Sequence, residues 1–153
     1  MMTELLARAV HSLNKAYLRF RRPLTVGVRG LVERGGDVLL VRHTYMPGWY
    51  FPGGGVHKGE TLEDALRREL IEEVGVTFEG PAQVIGAYSN FREYKSDHIV
   101  LFRTGPFTIR PADNREIAEF GFFPLAAPPE GTSPGTLRRI AELTGRVSPT
   151  PRW

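Results

Sequence analysis

The sequence predicts a mixed α/β domain. Three observations carry that expectation. Apolar residues recur at helical spacing over residues 4–20, then give way to strand-like runs from Leu24, and the helical period returns over 62–74 before more strands and a last helix. A chain of 153 residues with 41% hydrophobic and 24% charged residues suits one domain with one core.

Taken in order, Leu6, Val10, Leu13, Tyr17 and Phe20 form one apolar stripe, which predicts an amphipathic helix within residues 1–22. Pro23 ends it, because the residue before a proline is pushed out of the helical region. The stripe is expected to pack on its own domain or on a second subunit, so a homodimer is an expectation; adsorption to anionic membrane is the lesser alternative. This segment also holds Arg8, Lys15, Arg19, Arg21 and Arg22 against Glu4, and so accounts for the net charge of +3 and the sequence pI of 9.5. The basic excess is therefore local, and nucleic acid is not the expected partner.

The runs "LTVGVRGLVE" and "DVLLVRH" flank "RGG" and predict a hairpin with glycine in its turn. Residues 46–60, "MPGWYFPGGGVHKGE", are dense in Gly and Pro and predict a loop, with a short strand around Tyr50. Thr61 can cap the next helix, with Asp64 as a weak capping-box partner, and Gly75 ends it. Strands are expected at 82–91, 97–104 and 116–123, with "EYKSD" turning between the first two, then a helix capped near Ser133. The main domain is placed at 23–145 and a loose tail at 146–153.

Some classes are excluded. No run approaches the ~18 apolar residues of a membrane span. The first residues lack the layout of a secretory signal. No cysteine is present, which rules out disulfides and thiolate chemistry and fits a cytoplasmic setting.

The helix "RRELIEEVG" poses a charge problem. At about 100° per residue, Glu69, Glu72 and Glu73 share an arc of roughly 100°, beside a packing stripe of Leu66, Leu70, Ile71 and Val74. Arg68 can pair with Glu72 and Asp64, and Arg67 with Glu63. That leaves the arc short of positive charge, and a hard divalent cation, Mg²⁺ above all, would neutralise it. A solvated acidic face would look much the same in isolation, but the loop "PGGGVHKGE" ahead of it offers glycines whose backbone can approach a ligand closely.

Gly54, five residues, Glu60, seven residues and then "RELIEEVGV" resembles the signature box of the Nudix hydrolase family at every fixed position over residues 54–76. The resemblance implies an α/β/α sandwich around a mixed sheet, with an extra helix at the N-terminus of this chain. It also implies a metal-dependent pyrophosphohydrolase acting on a nucleoside diphosphate linked to another group, with Mg²⁺, or Mn²⁺ in its place, as cofactor and a small nucleotide as partner. Glu69, Glu72 and Glu73, the carbonyl of Gly53 and a later acid, Glu116 with Glu119 second, would hold metal. Glu60 and Arg68 would brace the loop and the helix. Glu72, Glu73 and Glu116 stay open for the general base.

Candidate substrate contacts are Arg42, Trp49, Tyr88 and Arg92, with His43, Tyr45, Phe91 and Tyr94 nearby, since aromatics can stack on a base and arginines can hold phosphate. Some members of the Nudix family that cleave adenosine diphosphoribose carry a proline some way after the box, and Pro81 follows Val76 too closely to match them; the isoprenoid isomerases that share the fold would imply a cysteine, which this chain lacks. A non-catalytic nucleotide-binding module and an RNA 5′-end pyrophosphohydrolase are the alternatives.

Overall fold

The structure is a computed structural model, and it describes residues 24–92, 96–110 and 112–153. The expected N-terminal helix and residues 93–95 of the "EYKSD" turn lie outside the described residues.

Among the described residues eight strands and two helices follow one another. They are β1 (Leu24–Leu31), β2 (Glu33–Arg34), β3 (Asp37–His43), α1 (Leu62–Val74), β4 (Val76–Phe78), β5 (Gln83–Asn90), β6 (Ser96–Arg103), β7 (Phe107–Ile109), β8 (Ile117–Pro124) and α2 (Pro134–Leu143). One sheet has the order β1-β6-β5, another β2-β3-β8, and β4 pairs with β7. β1 runs parallel to β6, while β5 and β6 are antiparallel, so the arrangement is mixed. Among the described residues no helix is long and apolar enough to cross a membrane.

The expected hairpin forms only at its tip. Arg34 pairs with Asp37 across Gly35 and Gly36, whose φ values of 60° and 89° suit a two-residue turn that needs left-handed backbone at both central positions. Before that tip the chain leaves the hairpin. β1 turns to β6, and its other edge takes up the glycine-rich loop through Val28 N–H to Gly54 O, Gly30 N–H to Pro52 O and Val56 N–H to Val26 O. The predicted short strand at Tyr50 reduces to a two-way hydrogen-bonded bridge with Val41.

The strands carry apolar residues on both faces because each face has its own core. In β3, Leu39 and Val41 join one cluster, with Leu66, Leu70 and Val74 of α1; Val38 and Leu40 join the other, with Trp49, Phe51 and Ile140 of α2. β6 divides likewise, Val100 and Phe102 from Leu101. This period-two division gives the expected sandwich, with a helix on each side of the sheets. Truncating Leu66 or Leu70 to alanine would cost about 2–5 kcal/mol at such fully buried positions.

Both helix starts match expectation. Thr61 Oγ1 accepts the Asp64 N–H, and Ser133 Oγ accepts that of Thr136. Asp64 bonds the Thr61 hydroxyl and not its N–H, so the capping box is only half made. The tail is not loose. Ser89 N–H donates to Pro151 O, Trp153 N–H to Ser89 O, and Arg139 Nη1 to Arg152 O, which lays residues 151–153 along β5.

Gly75 closes α1 with φ 66°, and a Cβ there would overlap the Arg110 carbonyl. Gly75→Ala is therefore expected to destabilise the fold by about 2 kcal/mol or more, read as a lower urea midpoint at unchanged slope.

Candidate active site

α1 turns toward the sheets a face different from the one its apolar period predicts. Ala65, Leu66, Leu70, Glu73 and Val74 are buried, whereas Ile71, expected in the packing stripe, is 50% exposed. Glu73 thus lies within the buried face and not at its edge. Gly30 on β1 makes room, because Leu66 and Leu70 fill the space a Cβ would take. The Gly53 N–H supplies the hydrogen bond a buried carboxylate needs, 2.7 Å to Glu73 Oε2.

Glycines bring the loop this close. Gly53 has φ 137°, and a Cβ there would overlap the Val28 carbonyl. A Cβ on Gly54 would stand 2.5 Å from the Glu69 carboxylate. The carbonyls of Pro52 and Gly54 go to β1, while among the described residues that of Gly53 accepts no hydrogen bond.

Arg68 organises the rest. It holds Glu60 through two parallel bonds of 2.8 and 2.9 Å, reaches Glu69 at 2.7 Å and Gly55 O at 3.0 Å, and makes a longer contact to Glu72 at 3.4 Å. The expected partner Asp64 is not among its contacts, because Asp64 is taken up at the helix cap. Arg67 pairs with Glu63 as expected. Bonds from Arg68 and from the His57 N–H hold the Glu60 carboxyl down to about 2, and Glu60 in turn raises Arg68. Glu60 and Arg68 therefore tie the loop to the helix as one unit.

Among the described residues Glu73 has no such partner. Burial pushes its carboxyl up to about 7; the Gly53 N–H and the Arg29 charge oppose the rise, and Glu69 and Glu116 add to it. The nearest ring nitrogen, His43 Nε2, is 4.0 Å from Glu73 Oε1. Burial and Arg29 both lower the His43 pKa, so it supplies little charge, and its Nδ1 is buried with no partner. Glu116 stands just ahead of β8. Its carbonyl accepts the Thr44 N–H, its N–H donates to Asn114 Oδ1, and Asn114 Nδ2 donates to Glu72 O at the end of α1. Its charge is felt by Glu73, His43 and Tyr45, so the structure brings it to the same site. Glu119 instead pairs with Arg42 at 2.7 Å on the surface.

The donors suit a hard cation by type: three carboxylates, a fourth nearby and an unengaged carbonyl. A buried carboxylate short of positive charge is the feature that such an ion would relieve. Among the described residues no three acid or histidine side chains converge as the ligands of one ion, because Arg68 draws on Glu69 and Glu72 is 57% exposed.

The substrate candidates divide. Arg92 lines a cavity of about 360 Å³ together with Arg29 and Tyr50. Trp49 and Tyr88 are core residues: Trp49 packs edge-on against Phe123, and Tyr88 lies under Arg139 and Trp153. Arg42 is engaged by Glu119. Phe91 is exposed, with its ring against His98, Tyr45 is exposed beside His43, and Tyr94 lies outside the described residues. Arg29 and Asn114 were not anticipated. The signal for Arg29 is a lone charge inside the apolar run "TVGVRGLV"; Asn114 has none that a sequence displays.

The NUDIX domain family model matches residues 21–143. The chain belongs to the NUDIX domain family. Nudix domains generally use divalent metal ions such as Mg²⁺. Among relatives, an RNA pyrophosphohydrolase of Erwinia tasmaniensis is 38% identical over 80 residues, which are 52% of this chain and 45% of that protein. The match thus spans less than half of that relative's length. The fold resembles the crystal structure of a MutT NUDIX hydrolase from Burkholderia pseudomallei, with TM-score 0.71 and 23% identity over 79% of this chain and 98% of that one. It also resembles that of a MutT protein from Methanosarcina mazei Go1, with TM-score 0.67 and 25% identity over 82% and 95%.

An acid whose pKa is higher folded than unfolded destabilises the fold as pH rises between the two values, because the unfolded chain has already released the proton. For Glu73 that window runs from 4.5 to about 7. In chelator, Glu73→Gln is expected to be more stable than the parent above pH 7, with the difference vanishing below pH 4.5. Urea unfolding across that range checks it, and parallel curves for the two proteins would contradict it.

Proposed function

We propose that the protein is a metal-dependent pyrophosphohydrolase that uses water to cleave the diphosphate of a nucleoside diphosphate linked to another group. The observation that carries this reading is Glu73: buried, bonded to the Gly53 N–H and, among the described residues, with no Lys or Arg in salt-bridge contact, within a complete box. A site built this way gains when a cation occupies it.

In this reading Glu69, Glu72, Glu73, Glu116 and the Gly53 carbonyl hold the ion, and Glu60 and Arg68 keep loop and helix in register. Bound Mg²⁺, or Mn²⁺, would screen the diphosphate oxygens and acidify the attacking water. Glu116 and the box glutamates Glu72 and Glu73 supply the carboxylates for the water's proton, a transfer typically worth ~10²–10⁴-fold. Arg29 and Arg92 offer positive charge to a substrate phosphate. The products are a nucleoside monophosphate and a phosphorylated second group. A small nucleotide is the partner, the cytoplasm the setting, and a homodimer through residues 1–22 accompanies the reading.

A second reading, removal of pyrophosphate from an RNA 5′ end, is favoured by the relative's name and its 38% identity. Cleavage that weakens steeply with salt would support RNA; salt-insensitive cleavage of small nucleotides would support the first reading.

The test is a panel of phosphoanhydrides with Mg²⁺ in ¹⁸O water, read by mass spectrometry. Incorporation of ¹⁸O into one phosphorylated product is expected, and no cleavage of any anhydride with Mg²⁺ or Mn²⁺ would defeat the proposal. Glu73→Gln should stay folded and lose turnover by on the order of 10²-fold or more; unchanged turnover would remove Glu73 from its role.

A further inference from the structure

The cavity next to the acidic site is closed on one side by the chain's own tail. Its volume is about 360 Å³, within the range of small-ligand sites. Arg29, Arg92, Asn90, Asp97 and Tyr50 line it, together with Trp153 and the start of α2. Arg29 lies on β1 between Val28 and Gly30, whose N–H groups bond the glycine-rich loop, so the cavity and the acidic site adjoin along that strand. Cations, amide and carboxylate groups and aromatic rings in one small space suit a planar, hydrogen-bonding heterocycle attached to phosphate.

Trp153 is held there by an unusual anchor. Arg139 is 0% exposed and pairs with the buried Glu142 at 2.7 Å. From that position it donates to Arg152 O at 2.9 Å and contacts Thr150 Oγ1 at 3.4 Å, while Glu142 accepts the Thr150 N–H at 3.0 Å. Its guanidinium lies 3.9 Å from the centre of the Tyr88 ring and 5.5 Å from that of Trp153. Arg138 adds a bond to Trp153 O. The indole then packs edge-on to Tyr88 and occupies the space where a side chain at 135 would begin, which only Gly135 leaves free.

A purely structural staple would explain the contacts but not their chemistry. Burying an ion pair gains little stability over apolar packing of the same volume. What it does is fix a geometry, here the position of the last aromatic side chain. That side chain is only partly covered and faces an open cavity.

We infer that Trp153 is a specificity-determining residue: clamped by Arg139 and Glu142, its indole is the wall against which the base of the nucleotide rests. Arg29 then lies between that base and the acidic site, where it can meet the phosphates. The inference rests on the proposed function for the class of substrate, while the wall itself rests on the contacts above.

Tryptophan emission tests it, since the chain has two tryptophans and Trp49 is sealed in the core. The protein is titrated with AMP, GMP, CMP and UMP, none of which has an anhydride to cleave, and separately with inorganic phosphate. At least one nucleotide should quench emission and phosphate should not. The quench should persist in Trp49→Phe and disappear in Trp153→Leu. For the anhydride that the parent cleaves, Trp153→Leu should raise KM roughly tenfold with kcat little changed, and Trp153→Phe should recover most of the loss. Gly135→Ala, which displaces the indole without altering it, should give the same KM shift and serves if Trp153→Leu does not fold.

Equal quenching by phosphate and nucleotides, no quenching at all, or an unchanged KM in folded Trp153→Leu would overturn the inference. The two proposals fail separately. A nucleotide that quenches through Trp153, in a protein that cleaves no anhydride, sinks the hydrolase reading alone. Cleavage with Trp153→Leu kinetics unchanged sinks the wall alone.

Discussion

The bond from the Gly53 N–H to the Glu73 carboxylate is the constraint on which the site depends. It is short, buried and joins three elements at once: the loop that runs along β1, the helix α1 and β1 itself. It can form only because Gly53 and Gly54 carry no Cβ, one side being filled by the Val28 carbonyl and the other by the Glu69 carboxylate. A Cβ at Gly53 would push the loop off β1, and one at Gly54 would displace the Glu69 carboxylate. The glycines therefore act as spacers of zero thickness, and the distance between loop and helix follows from that thickness.

Charge is then shared unequally. Arg68 serves Glu60, Glu69 and Glu72, and its guanidinium is the bracket that keeps loop and helix together. Glu73 is left inside with an N–H and an imidazole whose own pKa is lowered. Burial and the neighbouring carboxylates disfavour the charged form of Glu73, and under the proposed function a divalent ion would offset that cost. Stability given up at a functional position and recovered on binding is a common pattern in enzymes. The fully buried hydrophobic clusters on both faces of the sheets supply the reserve that makes it tolerable.

Signals that act over a few residues are legible in this sequence. Thr61 and Gly75 mark both ends of α1, Ser133 marks the start of α2, and "DVLLVRH" coincides with β3. Long-range pairing leaves no such mark. β1 looks like half of a hairpin, yet it pairs with β6 in parallel some seventy residues on, and β4 and β7 are too short for any period to register. The helical wheel misplaces Ile71 and Glu73 for a related reason. Apolar period assumes that carboxylates avoid the core, and it cannot see a backbone N–H arriving from a distant loop to satisfy one. The box positions are legible because their spacing is fixed; Trp49 and Tyr88 mislead because an aromatic near a loop can as easily be core as contact.

The tail carries this reasoning to its end. By composition "RVSPTPRW" offers no period, two prolines and mostly exposed side chains, and nothing local would dock it. It docks because a buried arginine on α2 has hydrogen-bonding capacity that its own helix cannot fill: Glu142 takes one part, and the carbonyl of Arg152 and the hydroxyl of Thr150 take others. A buried cation that recruits backbone must hold that backbone in one place, since each lost bond would leave desolvated charge behind. The consequence is positional. Trp153 is set against β5 and Gly135 with little freedom, beside a cavity that Arg29 also lines. β1 thus reaches the acidic site through the glycine-rich loop along its edge and the cavity through Arg29, and the proposed substrate, anionic at one end and planar at the other, would span both.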